Sequence, residues 1–371
     1  MTIKMSKQVY SDHVDAFLVL LRSGLWDEAP DDMSLFPLSD DSWRSVYELA
    51  RRHSVTGLVY SGMLRLPDDF MPCRSLLLRW VAEVDAIEKR NRLTDAVLAR
   101  LASMFSSSSV RAVLMKGQGA AAAYSEPSLR ECGDIDFFFP DADGWREALA
   151  ELQRRGVVLE HHADGAFSFR MGRVEIELHR SLVDVHAPAA CRFAERFVRD
   201  KGFVARDIVP ASGVKVLMPV PVLDLVMQNA HILKHMLGRG IGLRQYCDIA
   251  AAYRAYRGMF AHDEYMYACR CMGLARWTTM LHGFLSGSLG AGASILPFAG
   301  SQSGSARLFE GVMSAGNFGR SSGSSSEASR YVRKLNTVRS FFGNACFSLS
   351  TAPAEALWTF ADLVSGQFKK R

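Results

Sequence analysis

The chain has 371 residues, 49% of them hydrophobic and 22% charged, which suits a water-soluble globular protein large enough for two or three lobes. Its 44 basic residues against 39 acidic ones leave a charge of +5, too mild and too dispersed to indicate a nucleic-acid surface by itself. The 7 cysteines are odd in number and lack paired zinc spacing, so they read as reduced thiols; with no run of 18 apolar residues and no secretory signal in Met1–Lys7, a cytoplasmic protein without membrane spans is expected.

The first hundred or so residues read as helices. Val14–Leu21 is apolar on one side, Ser42 resembles an N-cap for a helix reaching His53, and Leu76–Phe105 is long and periodic, one helix or two meeting near Arg90-Asn91. Ser106–Ser109 is a polar break. Strands are then predicted near Val110–Met115 and Asp134–Phe139, with a helix at Trp145–Arg155. A β-rich stretch follows, with a hairpin turn at Asp164-Gly165 and a strand over Val174–His179. This describes a small mixed sheet with helices against one face. Pro219 and Pro221 mark the next boundary, and helices are predicted over Val222–Leu237, stopped by Gly238, then Leu243–Tyr256 and onward through Leu281. Between Ser301 and Ser326, 14 of 26 residues are Gly or Ser, which suggests a mobile loop near 301–326. Basic helical segments close the chain at Tyr331–Phe342 and Ala354–Phe368, before Lys369-Lys-Arg371. Three parts result: a helical domain over 1–108, a core over 109–215 and a second helical domain over 216–371.

The chemistry concentrates in the core. Val113-Leu-Met-Lys116-Gly117-Gln118-Gly119 is a strand running into a Gly-x-Gly turn, where backbone N–H groups can meet phosphate. The next strand carries Asp134 and Asp136, which point to one face while Ile135 and Phe137 point to the core. Two carboxylates so close repel each other unless a divalent cation lies between them, and Mg²⁺ binds through one or two carboxylates plus substrate phosphates. In Arg173-Val-Glu-Ile-Glu-Leu-His179 the alternation places Glu175, Glu177 and His179 together on one face. Either glutamate can complete the acidic set, and His179 is either part of the site or a structural strand-end histidine. Lys116 is equally a phosphate contact or a snorkelling lysine, and Arg130 either a phosphate contact or an ion-pair partner that orders the loop.

Beyond the core, Asp224, Gln228, His231 and His235 share one face of the helix after Pro221. His231-x3-His235 has zinc-binding spacing, but the glutamate of a metalloprotease motif is absent, since residue 232 is Ile. A polar stripe facing a cleft is one reading and a structural stripe the other. Arg244 and Asp248, at i and i+4, most simply pair with each other.

Lys116-Gly117, Tyr124, Leu129-Arg130, Asp134-Ile-Asp136, Glu177-Leu-His179, His231-x3-His235 and Arg244-x3-Asp248 together resemble an uncharacterised bacterial nucleotidyltransferase family of the DNA polymerase β-like superfamily. The landmarks run from Trp43 to Asp248, and the helical flanks are also similar. The resemblance implies an α+β fold, with a mixed-sheet α/β core between N-terminal and C-terminal helical domains. It implies Asp134, Asp136 and Glu177 as catalytic metal ligands, the acidic-Leu-His triplet favouring Glu177 over Glu175. Lys116, Gly117, Gln118, Gly119 and Arg130 would then bind nucleotide, with Glu175, His179, His231, His235 and Arg244 as candidate substrate contacts. The turn departs from the superfamily's Gly-Ser ending and offers no hydroxyl. The implied reaction is Mg²⁺-dependent (Mn²⁺ as a substitute) transfer of a nucleoside monophosphate, AMP from ATP, to a small molecule, sugar or peptide, releasing pyrophosphate. Two other classes stand beside it: a degenerate nucleotide- or peptide-binding module, and a tRNA or RNA end-modifying transferase, which would want a contiguous basic groove. Nucleic acid is not the expected partner.

Overall fold

A computed structural model describes residues 12–162, 165–209, 212–237, 240–301, 303–315 and 351–358. Helices α1 (Asp12–Trp26), α2 (Asp40–Arg52) and α3 (Thr56–Met63) form a bundle with the first half of α4 (Arg74–Ser107). The cap of α2 is Ser39, whose hydroxyl accepts from the Ser42 amide; Ser42, expected as the cap, lies inside the first turn. Helices α1 and α3 cross at glycines: a Cβ on Gly24 would lie 1.9 Å from the Leu58 carbonyl oxygen, and one on Gly62 would lie 2.0 Å from that of Leu20. The two backbones touch because neither residue has a side chain.

Helix α4 is one continuous helix of 34 residues, about 50 Å long at 1.5 Å per residue. The polar pair Arg90-Asn91 does not break it. Asn91 is buried there and its amide donates to the carbonyl oxygens of Ser128 (2.7 Å) and Arg130 (2.8 Å), so a loop of the core docks on the middle of the helix.

Seven strands follow: β1 (Val113–Leu114), β2 (Asp134–Phe138), β3 (Glu160–His161), β4 (Phe167–Met171), β5 (Val174–His179), β6 (Phe203–Val209) and β7 (Val214–Pro219). They form one mixed sheet in the order β3-β4-β5-β2-β1-β7-β6. The pairs β2/β5 and β1/β7 are parallel and the others antiparallel. The β3–β4 connection is the predicted hairpin; Gly165 is described but Asp164 lies outside the described residues.

Strand alternation divides the sheet. Leu114, Ile135, Phe137, Phe139, Ile176, Leu178 and Met218 pack under the second half of α4 (Leu98, Phe105) and α6 (Ala142–Arg154) in one core. Val113, Met115 and Phe138, from the other face, join a larger core that runs through the helical parts. Helices therefore meet both faces, where one was expected.

After α7 (Pro188–Lys201) and the β6–β7 hairpin come α8 (Pro221–Leu237), α9 (Leu243–Ala255), α10 (His262–Cys271), α11 (Ala275–Leu289) and α12 (Ser305–Ala315). Helix α12 lies within the segment whose Gly/Ser content suggested a loop. Its Leu308, Phe309 and Val312 are buried, and that apolar stripe outweighs the poor propensity of its neighbours. Residues 316–326 of that segment lie outside the described residues, as do Tyr331–Phe342, the tail Lys369–Arg371 and 359–368 of the last predicted helix. Among the described residues no helix is long and apolar enough to cross a membrane.

Gly62→Ala should lower the unfolding free energy, read from urea denaturation, by the upper part of the about 1–3 kcal/mol typical of overpacked sites, because the obstacle is backbone. A Ser103→Ala control at an exposed position of α4 should leave it nearly unchanged.

Candidate active site

The β1 turn is built around a glycine. The Met115 amide donates to the Asp136 carbonyl at 3.0 Å, carrying β1 alongside β2 until the chain turns at Gly117. Gly117 has φ +63°, and a Cβ there would lie 2.8 Å from the Asp134 carbonyl oxygen, so side chains are disfavoured on two counts. The short helix α5 (Gln118–Ala121) follows. The Gly119 amide is engaged by the Lys116 carbonyl at 3.1 Å, and Gln118 is buried behind the turn. Of this segment, Lys116, Gly117 and Ala120 line the neighbouring cavity; Gln118 and Gly119 do not.

Parallel register puts the acids in two rows. Asp134 stands opposite Glu175 and Asp136 opposite Glu177, while Phe138 stands opposite His179. Asp136 is nearly inaccessible and is surrounded by cations: His179 Nε2 lies 2.9 Å from its Oδ1, and Lys116 Nζ 3.5 Å from the same oxygen. His179 Nε2 is also 3.3 Å from Glu177 Oε2. Glu175 pairs with Arg170 at 2.9 Å and is half-exposed. Asp136, Glu177 and His179 thus form a group whose ligand atoms lie within 4.8 Å of one another.

These contacts set the charges. Asp134 is pushed up to about 6 by the Asp136 carboxylate and by burial. Burial opposes ionisation of Asp136 too, but Lys116 and the His179 hydrogen bond outweigh it and hold it well below the usual carboxylate range. Burial pulls His179 down, and its hydrogen bonds to Asp136 and Glu177 override this and raise it to about 9. A protonated imidazole therefore serves as countercharge among the carboxylates at neutral pH.

The acids face a cavity of about 510 Å³, a size typical of small-molecule sites. Its walls come from distant segments: Ser54 from the turn between α2 and α3, Arg90 from α4, the β1 turn, the loop Arg130–Gly133, and Gln228, His231, His235, Arg244, Gln245 and Asp248 from α8 and α9. Asp224 is not among them; it is buried, accepting from Gln228 Nε2 (3.0 Å) and Tyr256 OH (2.8 Å). The stripe on α8 is therefore divided, structural at Asp224 and cavity-lining from Gln228 onward.

The expected pair of Arg244 with Asp248 does not form. Asp248 instead accepts two hydrogen bonds from Arg130, from Nε at 3.0 Å and Nη2 at 2.7 Å, and a third from Tyr124 OH at 2.7 Å. Both members are almost wholly buried. A buried guanidinium requires an anion, so this bidentate contact takes precedence over a local helical pair. Arg244 donates to the Glu131 carbonyl at 2.8 Å, while its buried Nε has no partner among the described residues. Glu131 in turn accepts from the Thr56 amide at the start of α3. Asp184, in the loop after β5, carried no motif in the sequence; its oxygens meet His231 Nδ1 at 3.2 Å and Lys234 Nζ at 2.8 Å.

Hard carboxylate oxygens in adjacent rows, a raised Asp134 that records their mutual repulsion, and an open cavity fit a divalent cation. The His179 proton must leave for it, because cation and imidazolium compete for the same oxygens. The sign of the pH effect follows. His179, raised from 6.5 to about 9, contributes stability that is complete below pH 6.5 and lost as pH rises through 9. Asp134, raised from 3.8 to about 6, adds a penalty as pH rises over that interval. The melting temperature of the metal-free protein should therefore fall between pH 6.5 and 9, and Mg²⁺ should flatten that fall. Separately, Asp248→Ala should cost about 3–5 kcal/mol by leaving Arg130 buried without its anion, read from urea unfolding.

No curated protein and no solved structure is significantly similar to this chain. The family model for an uncharacterised nucleotidyltransferase, however, matches residues 39–283, which span α2 through α4, the whole sheet with its acidic rows, and α8 through most of α11. The chain belongs to that uncharacterised nucleotidyltransferase family.

Proposed function

We propose that this protein is a Mg²⁺-dependent enzyme that transfers AMP from ATP to a small acceptor, a sugar or a peptide, with release of pyrophosphate. Membership of the family supports nucleotidyl transfer in general. The metal dependence is supported by one observation: the parallel register of β2 and β5 places Asp134 and Asp136 beside Glu175 and Glu177, and all four line the cavity.

Asp136 and Glu177, which stand in one close group with His179, would hold the metal together with Asp134, which precedes Asp136 on the same face of β2; Glu175, already committed to Arg170 and further exposed, would not. The bound cation would neutralise the triphosphate and the leaving pyrophosphate. The chain's own contributions are positional and electrostatic. Lys116 stays protonated despite burial, because Asp136, Asp184, Asp134 and Glu177 surround it, and it supplies positive charge beside Gly117 where a phosphate would approach. Arg244, a buried guanidinium with no carboxylate pair and an unpartnered Nε among the described residues, offers a second anion contact on the cavity wall. These charges replace the hydroxyl that the turn lacks. The acidic set and the cations together argue for catalysis rather than for a degenerate binding module.

ATP with Mg²⁺ should raise the melting temperature, since a ligand at 100 times its Kd stabilises the folded state by about 2.7 kcal/mol. With α-labelled ATP, Mg²⁺ and host extract, the unaltered protein should label an acceptor, and Asp136→Asn should lower that labelling by several orders of magnitude. Glu177→Gln should behave alike and Glu175→Gln should be milder. Normal labelling by Asp136→Asn would refute the proposal.

A further inference from the structure

We propose that Asp184 and His231 form the proton-accepting pair of the transfer reaction, with His231 Nε2 as the base that deprotonates the acceptor. This rests on the nucleotidyl transfer reading above. Asp184 Oδ2 lies 3.2 Å from His231 Nδ1, and Asp184 Oδ1 lies 2.8 Å from Lys234 Nζ, one position short of the next helical turn on α8. The carboxylate is thus held at both oxygens. Burial works against its charge, yet the His231 hydrogen bond, Lys234 and Lys116 keep it ionised. An ionised carboxylate only accepts, so the proton of a neutral imidazole sits on Nδ1 and the lone pair on Nε2. His231 lines the same cavity as Asp134 and Asp136.

The groups facing His231 keep it neutral. Lys116 reaches it from the β1 turn, Asp136 from β2 and Asp184 from the loop after β5, while Lys234 and His235 neighbour it on α8. Burial and then Lys116 bring it below its ordinary value, with the two carboxylates acting in the opposite direction. Other bases in the cavity are unsuited. Asp134, Asp136 and Glu177 belong to the proposed metal centre, His179 is bonded to two of them, Asp248 is saturated by Arg130 and Tyr124, Glu131 accepts from the Thr56 amide, and Glu175 is tied to Arg170. His235, whose ring stands 4.4 Å from that of His231, is pulled down to about 2 by burial, and is too weak a base. In the step itself the acceptor O–H proton passes to Nε2 as the acceptor oxygen bonds to the α-phosphorus. The bond from that phosphorus to the bridging oxygen breaks, and its electron pair leaves with pyrophosphate. Asp184 then stabilises the imidazolium, the role such a carboxylate has in other histidine dyads.

Two measurements test the pair. Nitrogen-15 NMR of the histidines at pH 7.5, without nucleotide, should show His231 protonated at Nδ1 and bare at Nε2; a proton on Nε2 overturns the proposal. With α-labelled ATP, Mg²⁺ and water as the acceptor, AMP release by His231→Gln should show a kcat lowered by about 10²–10⁴-fold, the usual worth of a general base, with KM unchanged. Asp184→Asn should lower kcat as well, and the double variant should lose little more than His231→Gln alone. The unaltered protein should lose kcat on the acid side of pH 6.5, the ordinary histidine value, and that limb should vanish in His231→Gln. A higher KM with normal kcat in His231→Gln would make His231 a phosphate contact and overturn the proposal. If the unaltered protein releases no AMP and labels no acceptor, the transfer reading fails, and the nitrogen shifts still decide the pair.

Discussion

Like charge gathered on one face of a sheet is the constraint around which the rest of the molecule is arranged. Because β2 and β5 run parallel in register, Asp134 and Asp136 cannot separate from Glu175 and Glu177 without breaking the backbone ladder between them. The opposite face of the same strands, Ile135, Phe137, Ile176 and Leu178, is fully buried under α4 and α6, so rotating or slipping a strand would exchange core for carboxylate. The repulsion is therefore retained by the packing. Lys116 and protonated His179 offset it, and it appears as the raised Asp134.

A second arrangement places walls over these acids. The loop around Arg130 touches α3, α4 and α9 within a few residues. Asn91 of α4 holds its carbonyls, Glu131 meets the first amide of α3, and Arg130 is locked to Asp248 of α9. Such a buried ion pair is a poor source of net stability, since desolvation offsets most of the attraction, but its geometry is exacting. It fixes α9, and with it Arg244 and Gln245, at one distance from β2. The loop that carries the chain into the acidic strand is thus also the joint between the sheet and the helices.

What the sequence made legible follows physical range. The Asp134/Asp136 pair, the Glu-Ile-Glu alternation and the α+β order depend on period and local spacing, and they appear in one sheet as expected. Contacts between distant segments left weaker marks. Arg130 and Asp248 are 118 positions apart, so a local i,i+4 partner, Arg244, looked the simpler choice for Asp248. Near Arg90-Asn91 the sequence left one helix or two open, because a polar residue inside a periodic stretch carries no sign of the loop it holds. Asp184 follows Leu182-Val183 in an irregular segment, and only the fold brings it to Lys234 and His231. The β6–β7 hairpin and α7 were also not distinguished, because β6 is an exposed edge with little apolar alternation. In the Gly-x-Gly turn the pattern was visible but not its division: Gly117 faces the cavity, while Gly119 closes the turn against Lys116.

Two histidines of the same cavity show how closely protonation follows position. Both are largely buried, and burial alone would leave each of them neutral. His179 is hydrogen-bonded to two carboxylates and rises to about 9, whereas His231 has one carboxylate, a nearby lysine and a second imidazole beside it, and falls. Residues of one type are thereby driven to opposite charge states by their neighbours, the pattern by which active sites separate acids from bases. The separation would sharpen with a cation among the acids. Binding there requires His179 to release its proton, and the added positive charge would lower the affinity of His231 for one. A cation among the acids would thus favour the neutral form of both imidazoles, releasing a proton from His179 and holding His231 as it already is.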